Sequence, residues 1–190
     1  MKAFEDYIQL AGTDGSPRSG MILGIRMALL GLRELSLSNS TDYNRKLVVF
    51  VETDRCLPDA IELVTECRMG NRTLKFCDMG KMAATFMDLR TKRAIRLAAM
   101  ESANHRAQDM FPHLAKEDAL QAGYRAFPDD ALFSKRAVRL TLSQEDVPGY
   151  RAPRVVCAEC GEGIAFGREI TKGERVVCRS CAGQGYWEPL

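Results

Sequence analysis

A chain of 190 residues and 21.2 kDa, 46% of them hydrophobic, is long enough for one domain of ordinary size plus a small appendage. Its 27 basic and 25 acidic side chains leave a formal net charge of +2, which argues against a nucleic-acid partner recruited by bulk charge. No uncharged run approaches the length of a membrane span and no apolar signal sequence precedes the chain, so the expected setting is the cytoplasm.

The stretch Met21 to Leu37 is rich in Leu, Ile and Met between Gly20 and Ser38-Asn39-Ser40, which predicts a largely buried helix. Lys46-Leu-Val-Val-Phe-Val-Glu52 is short, apolar and β-branched, as a central strand is. Thr53, Asp54, Arg55 and Cys56 then form a loop, and Pro58 suits the first turn of a helix through Asp59, Ala60, Ile61, Leu63 and Val64, ended by Gly70-Asn71. Thr73 to Asp78 alternates as a strand, with Gly80-Lys81 just after it. The apolar set Ala84, Phe86, Leu89, Ala94, Ile95 and Leu97 fits a hairpin turning at Arg90-Thr-Lys92, with a helix as the alternative. His105 and His113 flank a segment that Pro112 interrupts, and nothing ties either to a site. Lys116 to Phe127 reads as helix and Arg136 to Leu142 as the last strand. Helices and strands that mix in this way predict an α+β core. Two prolines and a glycine between Val147 and Pro153 set the expected boundary, giving a core of residues 1–150 and a small module of residues 151–190.

The module carries the strongest chemical signal. Cys157-Ala-Glu-Cys160 and Cys178-Arg-Ser-Cys181 are two knuckles whose four thiolates complete a tetrahedral set for one Zn2+ ion. Gly161 and Gly163 follow the first pair, where a knuckle needs relaxed backbone. Ile164 to Val177 reads as two short strands around Thr171-Lys172-Gly173, and the second pair falls where a final helix or turn begins. Knuckle, hairpin and helix in that order make a treble clef. Disulfides or a redox dithiol are the competing readings, and the expected reducing compartment counts against the first. A module so short lacks a core of its own, so zinc is expected to be structural, with no open coordination position.

In the core, Glu52-Thr-Asp-Arg-Cys56 and Cys77-Asp-Met-Gly-Lys81 place thiols, acids and an amine at strand ends, where loops gather function. The helix start after Arg55 favours a thiolate at Cys56, which makes it a candidate metal ligand or nucleophile, and a small buried hydrophobe is an equal reading. Cys67 and Cys77 read as packing residues. Lys81 after a glycine is a candidate anion binder, against the plainer reading of a solvated turn lysine.

Gly20-Met-Ile-Leu-Gly-Ile-Arg-Met27, Val51-Glu-Thr-Asp-Arg-Cys56 with Asp59-Ala-Ile61, and Asp78-Met-Gly-Lys-Met82, in this order and spacing, resemble the formylmethanofuran dehydrogenase E-subunit family over roughly residues 5–100. The resemblance implies an α+β core, usually paired as a homodimer, with a metal site where the motifs meet. It also implies an association with molybdenum or tungsten enzymes that reduce carbon dioxide to a formyl group, and hence an oxidoreductase complex as a partner. Some members carry the same kind of zinc module. One departure matters. The family's His-Gly-His-x-Cys-Pro-Gly registers on Asp14-Gly15-Ser16-Pro17-Arg18-Ser19-Gly20, so Asp14, Ser16 and Arg18 replace both histidines and the cysteine. A guanidinium has no free lone pair and cannot ligate a metal. The core pocket, with Ser16, Arg18, Asp54, Cys56 and Lys81 as its candidate residues, is therefore open to a second metal or to a carboxylate or phosphate held by Arg18 and Lys81, and a decayed, catalytically silent site is an equal reading.

Three functions compete. The first is a metal-binding subunit or accessory protein of this family, without an independent catalytic set. The second is a stand-alone enzyme acting on a small anionic substrate with Cys56 at the site. The third is a zinc-dependent nucleic-acid-binding regulator using Arg151, Arg154, Arg168, Lys172, Arg175 and Arg179, and it ranks last because Glu159, Glu162, Glu169, Glu174 and Glu188 dilute that surface.

Overall fold

The computed structural model describes residues 2–12, 17–37 and 46–188. The chain divides into two compact units, Met1–Thr141 and Leu142–Leu190.

The first unit is built around one helix. Helix α1 (Phe4–Ala11) buries Tyr7 and Ile8, and α2 (Ser19–Glu34) buries Ile22, Leu23, Ile25, Met27, Ala28, Leu30 and Leu32, as its near-continuous apolar sequence predicts. Two glycines let neighbours approach α2 closely. A Cβ at Gly24 would stand 2.6 Å from the Cβ of Ala60, and one at Gly31 would stand 2.7 Å from the Phe86 ring. Glycine costs a helix about 1 kcal/mol relative to alanine, and here both positions are points of helix packing.

Strand β1 (Leu47–Val51) leads through a short loop into α3 (Cys56–Thr65), where Pro58 lies among the first residues, whose N–H groups lack helical partners anyway. The helix ends before the expected Gly70-Asn71. Thr65 donates its hydroxyl to the Ile61 carbonyl at 2.6 Å, and Glu66 takes a left-handed φ of 58°. Strand β2 (Leu74–Phe76) returns parallel to β1, which makes β1–α3–β2 a crossover unit.

Strands β3 (Ala83–Asp88) and β4 (Ala94–Ala99) form the expected hairpin, so the helical alternative does not hold. Helices α4 (Glu101–Met110), α5 (Lys116–Ala126) and the short α6 (Asp129–Leu132) follow, and β5 (Phe133–Val138) closes the sheet. The last strand begins three residues before the expected Arg136, because the Met100 N–H donates to the Leu132 carbonyl and Phe133 pairs with Ala99. The sheet order is β2-β1-β3-β4-β5, antiparallel except for β1 and β2. Leu74, Val49, Phe86 and Ile95 form one cross-strand row of the core that holds α2. Strand alternation turns Phe50, Thr85 and Arg96 to the other face, where Arg96 makes a fork of hydrogen bonds to Glu52 at 2.6 and 2.7 Å. Mixed helices and strands around one core are the predicted α+β class.

The second unit contains a 3-10 turn (Gln144–Asp146), two small hairpins and a closing turn. Strands β6 (Val155–Val156) and β7 (Gly163–Ile164) flank the first cysteine pair, and β8 (Ile170–Lys172) and β9 (Arg175–Val177) lead to the second. A tight helical turn spans Ser180–Gln184.

Candidate functional site

The first knuckle is shaped by its own backbone. Gly161 takes a φ of 77° and donates its N–H to the Cys157 carbonyl at 3.0 Å, while the Cys157 N–H reaches the Glu162 carbonyl at 2.9 Å. The Ala158 N–H donates to the Val176 carbonyl at 2.9 Å, which ties this knuckle to β9 and so to the second pair. The sulfurs of Cys157, Cys160, Cys178 and Cys181 all lie within 4.8 Å of one another, and those of Cys160 and Cys178 are 3.9 Å apart. Four thiolates at about 2.3 Å around a tetrahedral ion stand about 3.8 Å apart, so the spacing matches a metal set.

Backbone N–H groups serve the sulfurs as well. The Cys178 N–H donates to the Cys157 sulfur at 3.2 Å, and the Cys181 N–H to the Cys178 sulfur at 3.4 Å. The N–H groups of Cys160 and Cys178 pull the Cys157 thiol down to about 6, whereas the neighbouring Cys178 sulfur and burial push Cys181 up. Four sulfurs this close cannot all ionise without a cation among them, and a divalent ion removes that conflict. Among the described residues the unit buries the hydrophobic side chains of Cys157, Ile164 and Val177, too few to hold it by burial alone.

In the first unit a pocket of about 460 Å3 is lined by residues from five elements. Ser19, Gly20 and Leu23 come from the start of α2, Gly80, Lys81 and Met82 from the loop before β3, Ala98, Ala99 and Met100 from the end of β4, and Glu101, Asn104 and Tyr124 from α4 and α5. The loop is pinned by Met79 and Lys81, whose N–H groups donate to the Glu52 carbonyl at 3.2 and 3.1 Å, with Gly80 at a φ of 61°. Lys81 is exposed. Along one wall the Tyr124 hydroxyl donates to Asn104, whose amide donates to Glu101 at 2.7 Å. Burial, helped by the charges of Glu101 and Glu117, pushes the Tyr124 phenol up to about 12 and keeps it a donor. Beside the pocket, Glu117 takes the Ser19 N–H at 2.6 Å and the Ser19 hydroxyl at 2.9 Å. The Ser19 N–H is the chief reason why this carboxyl lies below its ordinary value, and Arg18 adds a smaller pull.

The predicted core residues divide among these surroundings. Lys81 lines the pocket; Arg18, Asp54 and Cys56 do not. Cys56 opens α3 half-buried behind the pocket wall, 3.4 Å from where a Cβ on Gly20 would stand. Arg18 and Asp54 are exposed, and Arg18 has the Glu117 carboxylate as its neighbour. Ser16 and Asp14 lie outside the described residues. Cys67 is buried and directs its thiol at the Leu47 carbonyl at 3.8 Å, a packing role as expected. His105 and His113 are exposed. Sequence reasoning did not find Ser19, Glu101, Asn104 and Tyr124. The signal for three of them is the i, i+3 spacing of Glu101 and Asn104 on a helix and a tyrosine on the buried side of α5.

Known proteins share this outline. A family described as "FmdE, Molybdenum formylmethanofuran dehydrogenase operon" matches residues 15–134. The chain is 25% identical over 199 aligned positions to a "Probable S-adenosyl-L-methionine-binding protein" of Archaeoglobus fulgidus, taking in 86% of this chain and 49% of that protein. The chain thus spans about half the length of that relative. A crystal structure of a tungsten formylmethanofuran dehydrogenase FmdE-like protein from Syntrophus aciditrophicus superposes with a TM-score of 0.66. It is 24% identical, with 98% of this chain and 96% of that one covered, and the likeness concerns the fold.

Proposed function

This chain belongs to the FmdE family, and we propose that it is a zinc-bearing accessory protein or subunit that holds a small anionic ligand in its core. The observation that carries the metal half is the meeting of four cysteine sulfurs within 4.8 Å. We assign Zn2+ to Cys157, Cys160, Cys178 and Cys181, in a treble-clef module of residues 151–190 attached to a core of residues 1–150. A closed four-sulfur set leaves no position for substrate, so the ion cross-links the chain and supplies folding energy. For the core half, Lys81 supplies the charge in the pocket, and Cys56 stands behind its wall at Gly20. Pairing as a homodimer, docking on an oxidoreductase and residence in the cytoplasm belong to the same proposal.

The nucleic-acid reading loses support from the ion pairs of the second unit. Arg168 is held by Asp146 at 2.6 Å, Arg175 by Glu159 at 3.2 Å, and Lys172 stands 3.8 Å from the same Glu159. A second reading of the core pocket follows from the Archaeoglobus relative. Lys81 suits a carboxylate and Glu101 a cationic group, so the pocket fits the amino-acid end of S-adenosyl-L-methionine. Equilibrium dialysis against that compound decides it, and absence of uptake removes this reading.

The deciding experiment for the first reading is elemental analysis of natively purified protein beside Cys157→Ser and Cys56→Ala. The expected result is about one zinc per chain, lost in Cys157→Ser and unchanged in Cys56→Ala. Metal that disappears with Cys56 instead places an ion in the core and moves the stand-alone enzyme to first place. Light scattering on the same sample tests the dimer.

A further inference from the structure

A second cleft of the first unit, about 390 Å3, lies between α1, the second half of α2 and the junction of α5 with α6. Arg26, Arg33 and Arg125 line it together with the Asp129 carboxylate and with the apolar side chains of Phe4, Leu29 and Phe127. Arg26, Leu29 and Arg33 recur at spacings of three and four residues, so they share one face of α2.

The three guanidiniums are not equivalent. Arg26 is committed to the fold: its Nη2 and Nε donate to Asp129 Oδ1 at 2.6 and 3.3 Å, and its Nη1 donates to the Tyr124 carbonyl at 2.9 Å. Its guanidinium carbon also lies 5.9 Å from the Phe4 ring centroid. The second oxygen of Asp129 meets Arg33, whose side chain is 59% exposed. One carboxylate therefore serves two arginines. Arg125 has Glu5 as its ion-pair partner, through one contact of 3.3 Å, and that carboxylate is 65% exposed and strongly screened by water. Among the described residues three guanidiniums thus face two carboxylates, Asp129 in the lining and the exposed Glu5 beside it, an excess of one positive charge.

Arginine forks match the oxygens of a phosphate, and a phosphate monoester carries about −1.5 to −2 at neutral pH, enough to compete with the screened Glu5 carboxylate for Arg125. We propose that this cleft binds a phosphate monoester with a flat apolar body, of mononucleotide size, Arg33 and Arg125 taking the phosphate and Phe4 with Leu29 the body. The site is separate from the pocket at Lys81, so it stands or falls independently of the function proposed above.

The test is calorimetric titration of the full chain at low salt with AMP, adenosine and inorganic phosphate, repeated on Arg33→Gln, Arg125→Gln and, as a control, Arg139→Gln. Arg33 and Arg125 are partly exposed, and circular dichroism verifies that their variants keep the fold. AMP is expected to bind about tenfold or more tightly than either fragment. Each of Arg33→Gln and Arg125→Gln should weaken AMP about tenfold, the value of one charge-assisted hydrogen bond, while Arg139→Gln leaves it unchanged. No AMP binding, or AMP binding insensitive to both substitutions, overturns the site. Equal binding of AMP and inorganic phosphate overturns the assignment to a monoester.

Discussion

Glu52 and Arg96 show what single residues do at the strand ends of the core. Glu52 lies one residue past β1 and Arg96 inside β4, and their side chains are 14% and 29% exposed. The hydrogen bonds from Arg96 are the main reason why the Glu52 carboxyl lies below its ordinary 4.5, and they outweigh the opposing effect of burial. A carboxylate depressed in the folded state binds more protons when unfolded. Its stabilisation is therefore full above about 4.5 and is lost as pH falls through the lower folded value. Glu52→Gln should cost about 1.5–3 kcal/mol at pH 7, measured by urea unfolding, and the difference from wild type should shrink as the pH is taken below 4. A difference that stays constant down to that range would mean that the fork carries no charge-dependent stability. The same residue scale marks where the candidate site was legible. Cysteines at C-x-x-C spacing announce their chemistry because the ligand geometry is local, and the structure brings all four sulfurs together. Lys81 announced itself through the glycine before it. Tyr124 and Asn104 give a weaker signal: helical spacing and a half-apolar face mark each one, but their hydrogen bond joins two helices, and neither local sequence states that pairing.

At the scale of elements, legibility followed apolar periodicity. Helix α2, strand β1 and the β3–β4 hairpin are rich in large apolar residues, and each lies where the sequence places it. Helix α4 does not carry that pattern, since Glu-Ser-Ala-Asn-His-Arg-Ala-Gln-Asp-Met buries only Ala103 and Ala107. Its contact with α5 is made by absent volume: a Cβ at Gly123 would stand 2.5 Å from the Cβ of Ala107. Small residues at a helix crossing are silent to any reading that counts hydrophobic bulk. Helix α1 escaped notice for a related reason, having only eight residues and few anchors. The α2 glycines carry this idea into a prediction. Gly31 meets the face of Phe86, a fully buried ring on the central strand β3, so an added methyl group has no space to enter. Gly31→Ala gains helix propensity of about 1 kcal/mol and loses up to about 3 kcal/mol through overpacking, for a net destabilisation of up to about 2 kcal/mol in urea unfolding. A stabilised Gly31→Ala would show that the ring yields freely and that glycine is there for another reason. Gly70 makes the fitting comparison, because a Cβ there would meet no atom within 4 Å.

For the whole molecule, the two units draw on different sources of stability. Among the described residues the first contains a core of some thirty buried residues reaching from Tyr7 to Phe133, while the second has three, Cys157, Ile164 and Val177. At about 25 cal/mol per Å2 of buried apolar surface, three side chains cannot offset the conformational entropy of ordering several dozen residues. The metal proposed for the four cysteines would close that gap, because its binding free energy would at the same time be folding free energy. Removing the ion should therefore undo one unit and spare the other. Hydrogen exchange on the full chain, before and after treatment with a strong chelator under reducing conditions, is expected to show loss of protection across residues 155–181. The amides of α2, β1 and β3 should keep theirs, and thermal unfolding should resolve an early metal-dependent step from a later metal-independent one. Protection lost together in both units would show that the core's stability is coupled to the metal. Protection retained in both would show that the second unit holds without it, and the closed four-sulfur centre would then need a role other than folding.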